Sequence, residues 1–177
     1  MCAFLQSEVV NDFFSLSLHH KEATTNIEMQ VYSSFFSTAA LPNTYKILKT
    51  HLPTIHLSSC VNEKNLPFSQ EVRHTEIGHL FEHILLEYVY QKKEALGQKN
   101  ILVQGETSWN WLQKPRGFFT IVVNVGVEEM DILQQALSPT IQLLQFIFAS
   151  HMQESFCLKQ SPALFQTQMQ APFKTKN

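Results

Sequence analysis

Cysteine and arginine are both rare in this chain of 177 residues, and neither sign of charge dominates it. The three cysteines, Cys2, Cys60 and Cys157, are an odd number without CxxC spacing, which excludes a dense disulfide framework and predicts a reducing, cytoplasmic compartment. Arg73 and Arg116 are the only arginines, and the net charge is -2. Because phosphate recognition relies on clustered basic side chains, nucleic acid is not a predicted partner.

Long apolar runs are also missing. The longest late stretch, residues 143–149, is interrupted by Gln145, and the N-terminus lacks a basic segment ahead of an apolar run, so neither a membrane span nor an export signal is predicted. What the chain does have is a hydrophobic content of 44%, including 14 Phe, which is enough for a real core. We expect residues 1–158 to form a single domain and residues 159–177 to form a loosely ordered tail.

The first sixty residues contain two kinds of periodicity. Alternating apolar residues predict strands at 13–20 and 27–35, joined by a polar turn at 21–26 into a hairpin. Helical spacing of apolar residues predicts a short helix within 42–53, where proline stands at both ends. Residues 55–60 are predicted to form another strand.

The second half of the chain returns to helical spacing. Residues 75–97 carry apolar side chains at a period of 3.6 and predict a long helix that ends at a glycine. Two strands are predicted at 101–111 and 118–127, followed by a helical segment from Glu128. Pro139 falls inside that segment, so we expect a kink or a break there.

One motif in the long helix is typical of a metal-binding site. His79, Glu82 and His83 form the pattern HxxEH, the inverted form of the HExxH zinc motif. Histidines at positions i and i+4 lie on one face of a helix and hold Zn²⁺, while the glutamate accepts a proton from the attacking water. The apolar residues of this helix lie on the opposite face, so both histidines are predicted to face a partly covered cleft beside Leu86 and Tyr90. The competing interpretation is an ordinary helix with solvated or core histidines.

A catalytic zinc site needs a third protein ligand, and spacing alone does not identify it. The candidates are Glu106 on the strand after the helix, Glu128 and Glu129 at the start of the second helical segment, and His151 and Glu154 near its end. All five stay open at this point, because an acidic residue at a helix start also complements the helix dipole without binding a metal.

Several short motifs follow one another in order between residues 56 and 136. They are Ser59-Cys60; Thr75 with Gly78, His79, Glu82 and His83; Gly105 with Thr107; Pro115 with Gly117; Val122-Val123; and Glu128-Glu129. In this order they resemble the N-terminal domain of cyanophycin synthetase. More distantly, the HxxEH helix followed by strands is similar to the pitrilysin and insulinase-type metallopeptidases and to S-ribosylhomocysteine lyase.

The resemblance implies an α/β (α+β) domain in which a mixed, mostly antiparallel sheet is flanked by helices, as in the HxxEH metallohydrolases. It implies Zn²⁺ as the cofactor, His79 and His83 as ligands, and Glu82 as the catalytic base. It also favours Glu154 as the third ligand, because in the peptidase and lyase relatives that ligand follows the helix after the paired strands. Gly105 and Thr107 then belong to a strand that pairs with the substrate backbone.

We therefore expect a stand-alone zinc-dependent hydrolase that acts on a peptide or isopeptide polymer. The chain has no Gly-rich phosphate loop, which ligation with ATP would require. The alternative is a catalytically silent module of the same fold that binds a polymer or a partner protein. Either function is compatible with a homo-oligomer, which the sequence does not decide.

Overall fold

The computed structural model describes residues 6–60 and 66–160, with side chains for residues 7–60 and 66–153 among them. Its strands are β1 (Gln6–Val10), β2 (Phe14–His20), β3 (Thr25–Val31), β4 (Gly105–Ser108) and β5 (Phe118–Val123). They form one sheet in the order β1-β2-β3-β5-β4, in which every neighbouring pair is antiparallel. With four α-helices added, the described chain is an α+β protein.

The predicted hairpin is confirmed as β2 and β3. Alternate side chains of β2 are buried, and Leu16 and Leu18 stand opposite Met29 and Ile27 of β3. This alternation directs one face of the sheet to the core and leaves the other half-exposed. The structure adds β1, which the sequence did not predict because the polar Ser7 and Glu8 interrupt any apolar pattern there.

Other strand predictions need correction. Residues 55–60 are not a strand, because Pro53 opens a 3₁₀ helix over Pro53–Leu57 and fixes its first φ angle. The strands predicted at 101–111 and 118–127 are shorter, since only Gly105–Ser108 and Phe118–Val123 pair in the sheet. The turn between them includes Gly117, whose φ of 83° lies in the left-handed region that glycine tolerates.

Helices α1 (Thr44–His51), α2 (Phe68–Glu71) and α3 (Ile77–Ala95) lie between β3 and β4 along the chain. The predictions of α1 and α3 are confirmed, and α3 ends just before Gly97, which has a φ of 74°. Five of the six residues on the predicted apolar face of α3 are fully buried, and the sixth, Tyr88, is half-buried; the five are Ile77, Leu80, Phe81, Ile84 and Leu85.

Helix α4 (Met130–Gln160) runs through Pro139 without interruption, so the predicted break does not form. A proline inside a helix removes one hydrogen bond to the carbonyl four residues earlier. That carbonyl belongs to Gln135, which is exposed, so water can take the place of the lost donor. Residues 161–177, most of the predicted tail, lie outside the described residues.

Two contacts fix the position of α3. A Cβ atom on Gly78 would come within 2.5 Å of the Phe119 ring on β5, so the helix backbone rests directly on the sheet. At the other end, Lys93 forms an ion pair of 2.8 Å with Glu129, just before α4. These contacts hold the HxxEH face of α3 beside the edge strand β4.

Among the described residues, no helix combines the length and apolar character that crossing a membrane requires.

Candidate metal centre

An open cleft of about 1850 Å³ lies between α3, the 3₁₀ helix and the edge strand β4. His79, Glu82 and His83 line it from α3, and Gly105 and Thr107 line it from β4. The sequence analysis assigned these five residues to the catalytic, metal-binding and substrate-binding positions, together with Glu154 as the third metal ligand. The structure brings the five together in one cleft.

Cys60, His79 and His83 bring their ligand atoms within 4.8 Å of one another. The two histidine Nε2 atoms are 3.1 Å apart, and the Cys60 Sγ atom is 3.5 Å from Nε2 of His79. A tetrahedral zinc ion with ordinary bond lengths places two nitrogens about 3.3 Å apart and a nitrogen and a sulfur about 3.6 Å apart. The two separations measured from Nε2 of His79 are therefore close to those in a zinc site, and the third, between Cys60 and His83, is within 4.8 Å.

Two hydroxyl groups orient the histidine rings. Nδ1 of His79 is 2.7 Å from Oγ1 of Thr75, and Nδ1 of His83 is 3.4 Å from Oγ of Ser58. The Ser58 hydroxyl donates its proton to the carbonyl of Ile55, so it accepts a hydrogen bond from Nδ1 of His83. His83 then keeps its proton on Nδ1 and has a lone pair on Nε2, the tautomer that binds a metal.

Both histidines are held in the neutral form. His83 is 6% exposed, and its ring stacks on Phe68 of α2 with a centroid distance of 3.8 Å. Burial, and to a lesser extent the neighbouring His79, lowers the pKa of His83 to about 3. Burial also lowers the pKa of His79. A metal ion needs unprotonated imidazole, so the environment of this pair suits metal binding near neutral pH.

Glu82 is buried on the cleft wall at 5% exposure. Its Oε2 accepts a hydrogen bond of 2.5 Å from Thr107, and a Cβ atom on Gly105 would come within 2.9 Å of its side chain. Burial raises its pKa to about 7, against the opposing effect of the Thr107 hydrogen bond and with a smaller contribution from Glu106. A carboxylate with a pKa near the working pH both takes up and releases a proton efficiently.

The structure describes the side chains of four of the five candidates for the third ligand, and all four lie in environments different from that of the cluster. Glu129 pairs with Lys93, and the His151 ring packs edge-on against Phe35 at 4.8 Å. Glu106 and Glu128 are exposed on β4 and just before α4. None of these four belongs to the three-residue cluster. The side chain of Glu154 lies outside the described part of the chain, so its assignment stays a prediction.

Cys60 is the member of the cluster that the sequence reasoning did not propose as a ligand. The available signal was the Ser59-Cys60 pair, which entered only as one motif of the resemblance. Gly105 and Thr107, assigned to substrate binding, contact Glu82 in the structure.

Comparison with known proteins finds no matching protein-family model and no significantly similar curated protein.

Proposed function

We propose that this protein is a zinc-dependent hydrolase of peptide or isopeptide bonds. Cys60, His79 and His83 are the three protein ligands, and Glu82 is the general base. The observation that carries the proposal is the cluster of two nitrogens and one sulfur, in which the two separations from Nε2 of His79 are close to those of a tetrahedral zinc site, beside a buried carboxylate in an open cleft. A cysteine ligand requires a reduced thiol, which agrees with a cytoplasmic location.

Zinc in this position would polarise the substrate carbonyl and activate a water molecule. Glu82 accepts one proton from the water as its oxygen bonds to the carbonyl carbon. When the carbon–nitrogen bond breaks, Glu82 returns that proton to the leaving amine. The products are a carboxylic acid and an amine, and the glutamate is again ionised. Thr107 and Gly105 hold Glu82 in place during both transfers.

Strand β4 offers a way to hold an extended substrate. It is the last strand of the sheet, so its outer edge has no strand partner among residues 6–60 and 66–160. An extended chain can form backbone hydrogen bonds with such an edge. The same strand contacts Glu82, which places a paired substrate next to the base.

The direct test is incubation of the 177-residue chain, purified without a histidine tag and loaded with zinc, with α-peptides, isopeptides and β-aspartyl-arginine polymers. We expect new amino termini to accumulate over hours and the reaction to stop on addition of a chelator. A parallel sample treated with chelator and then resupplied with zinc is the control. Zinc-containing protein that binds a polymer and cleaves no member of the panel would contradict the proposal and favour a silent binding module.

Thr75→Val should weaken zinc binding by about 10- to 100-fold, the usual effect of losing a hydrogen bond to a metal-bound histidine. The reason is that valine cannot hold Nδ1 of His79, which lies 2.7 Å from the threonine hydroxyl. Thr75→Ser keeps the hydroxyl and is the matched control, so its affinity should stay near that of the wild type. Competition with a zinc-binding dye measures both. Equal affinities in the valine and serine variants would show that this hydroxyl does not support the site.

A further inference from the structure

The segment between β4 and β5, residues 109–117, is an exposed turn that we call the hairpin tip. Leu112 in this segment is 99% exposed, more than any other large apolar side chain that the structure describes, and Trp109 is 42% exposed. A lone exposed leucine is ordinary on a protein surface. Here a leucine, a tryptophan and two basic side chains share one short turn, and this combination calls for an explanation.

The hairpin tip is held in shape by its own hydrogen bonds. The side-chain oxygen of Asn110 accepts a hydrogen bond from the backbone N–H of Leu112 at 3.2 Å, and its carbonyl accepts one from the N–H of Lys114 at 2.9 Å. Trp111 donates from Nε1 to the carbonyl of Phe118 at 3.1 Å. Because these bonds fix the turn, a binding event at Leu112 does not have to order a flexible loop first.

The charge of the hairpin tip is positive. Lys114 and Arg116 are exposed, and no acidic residue occurs among residues 107–127. Nζ of Lys114 lies 4.9 Å from the centroid of the Phe118 ring, and the Arg116 guanidinium lies 5.3 Å from that of the Phe36 ring. Neither cation forms an ion pair with a residue that the structure describes. Both charges are therefore available to an anionic partner.

These features fit a membrane surface better than a protein partner. Peripheral membrane proteins insert aromatic and aliphatic side chains at the headgroup level, while nearby Lys and Arg attract anionic lipids. A specific protein interface needs about 800 Å² of complementary surface from each partner. The large apolar side chains exposed at this tip are Leu112 and Trp109 alone. A bilayer accepts such a small apolar group, because lipids rearrange around it.

We propose that the hairpin tip attaches this protein peripherally to membranes that contain anionic lipids. Leu112 and Trp109 enter the headgroup region, and Lys114 and Arg116 lie beside the lipid phosphates. The cytoplasmic leaflet carries negative surface charge, so a protein of the cytoplasm would meet the required lipids there. One leucine and two cations give weak, reversible attachment. The attachment is separate from the proposed hydrolysis, because none of these side chains is a metal ligand or the base.

Intrinsic fluorescence provides a direct test. The chain has two tryptophans, Trp109 and Trp111, and both lie in the hairpin tip, so their emission reports on this segment. The 177-residue chain is titrated with vesicles of phosphatidylcholine containing about one-third phosphatidylserine, or of phosphatidylcholine alone. No peptide is present, because Trp109 also lines the cleft. We expect a blue shift with the anionic vesicles, and binding at least about tenfold weaker with the neutral ones.

Vesicle cosedimentation of variants tests the individual side chains. Leu112→Ser should weaken binding at least about tenfold, since the transfer of a leucine side chain out of water is lost. Lys114→Gln combined with Arg116→Gln should weaken it about as much and remove its salt dependence.

Two matched controls should bind as the wild type does. Leu96→Ser removes another leucine, which is 67% exposed at the end of α3. Lys46→Gln combined with Lys49→Gln makes the same charge change on the exposed side of α1.

Absence of both the blue shift and cosedimentation at millimolar anionic lipid would overturn the inference, and so would equal binding by Leu112→Ser and the wild type. Self-association that needs Leu112, seen by sedimentation velocity without vesicles, would overturn the membrane assignment and identify the tip as a protein interface. The hydrolase stands or fails separately, because zinc content and peptide cleavage are measured without vesicles.

Discussion

Replacing His83 by alanine is expected to abolish zinc binding, which we expect at about one ion per chain in the wild-type protein, and His79→Ala should do the same. Each substitution removes one of three protein ligands, and the water that replaces it binds zinc far more weakly than imidazole. Elemental analysis after dialysis measures the metal content directly. His74→Ala is the matched control, because His74 also lines the cleft but is exposed and outside the cluster.

The same measurement identifies the third ligand. Cys60→Ala should lose zinc as the histidine variants do, while Glu154→Gln should keep it if Cys60 is the ligand. The opposite pattern would restore the assignment of Glu154 that the family resemblance implies. All three cluster residues line the cleft, but Cys60 packs against the apolar core and His83 stacks on the core residue Phe68, so circular dichroism of each variant checks that the secondary structure is kept. Full zinc occupancy in His79→Ala or His83→Ala would place any metal elsewhere.

Glu82→Gln is expected to retain zinc and to lower the hydrolytic rate by at least about a hundredfold, the usual scale of a general base. The amide keeps the shape of the side chain, and its oxygen can still accept the hydrogen bond from Thr107. It loses the ability to take a proton from water. Initial rates at saturating substrate, together with the zinc content of the same sample, separate loss of the base from loss of the metal.

Glu8→Gln is a suitable control for this variant, because it makes the same charge change on β1, at the far edge of the sheet from β4. Its rate should equal that of the wild type. A Glu82→Gln protein as active as the wild type would remove Glu82 from the mechanism, whatever the metal content. A rate loss accompanied by an equal loss of zinc would instead assign Glu82 a role in holding the site together.

The sequence by itself determined the elements whose signals are local. The period of 3.6 in the stretch that became α3 predicted the helix and the burial of its apolar face, and alternation predicted the hairpin of β2 and β3. It also placed Glu82 beside two of the three cluster residues, because residues at i, i+3 and i+4 share a helix face in any fold. A local sequence pattern is enough to predict an element when its contacts lie within one helical turn or one pair of strands.

Tertiary structure alone decided the rest of the site. Cys60 meets His79 across 19 positions, because the 3₁₀ helix opened by Pro53 carries the following residues to α3 instead of into the sheet as a strand. Thr107 reaches Glu82 across 25 positions, once β4 has paired at the edge of the sheet. No periodicity in the sequence predicts these long-range contacts. They follow from the way in which the helices and the sheet pack their apolar faces together. The free energy of that packing depends on the whole chain at once.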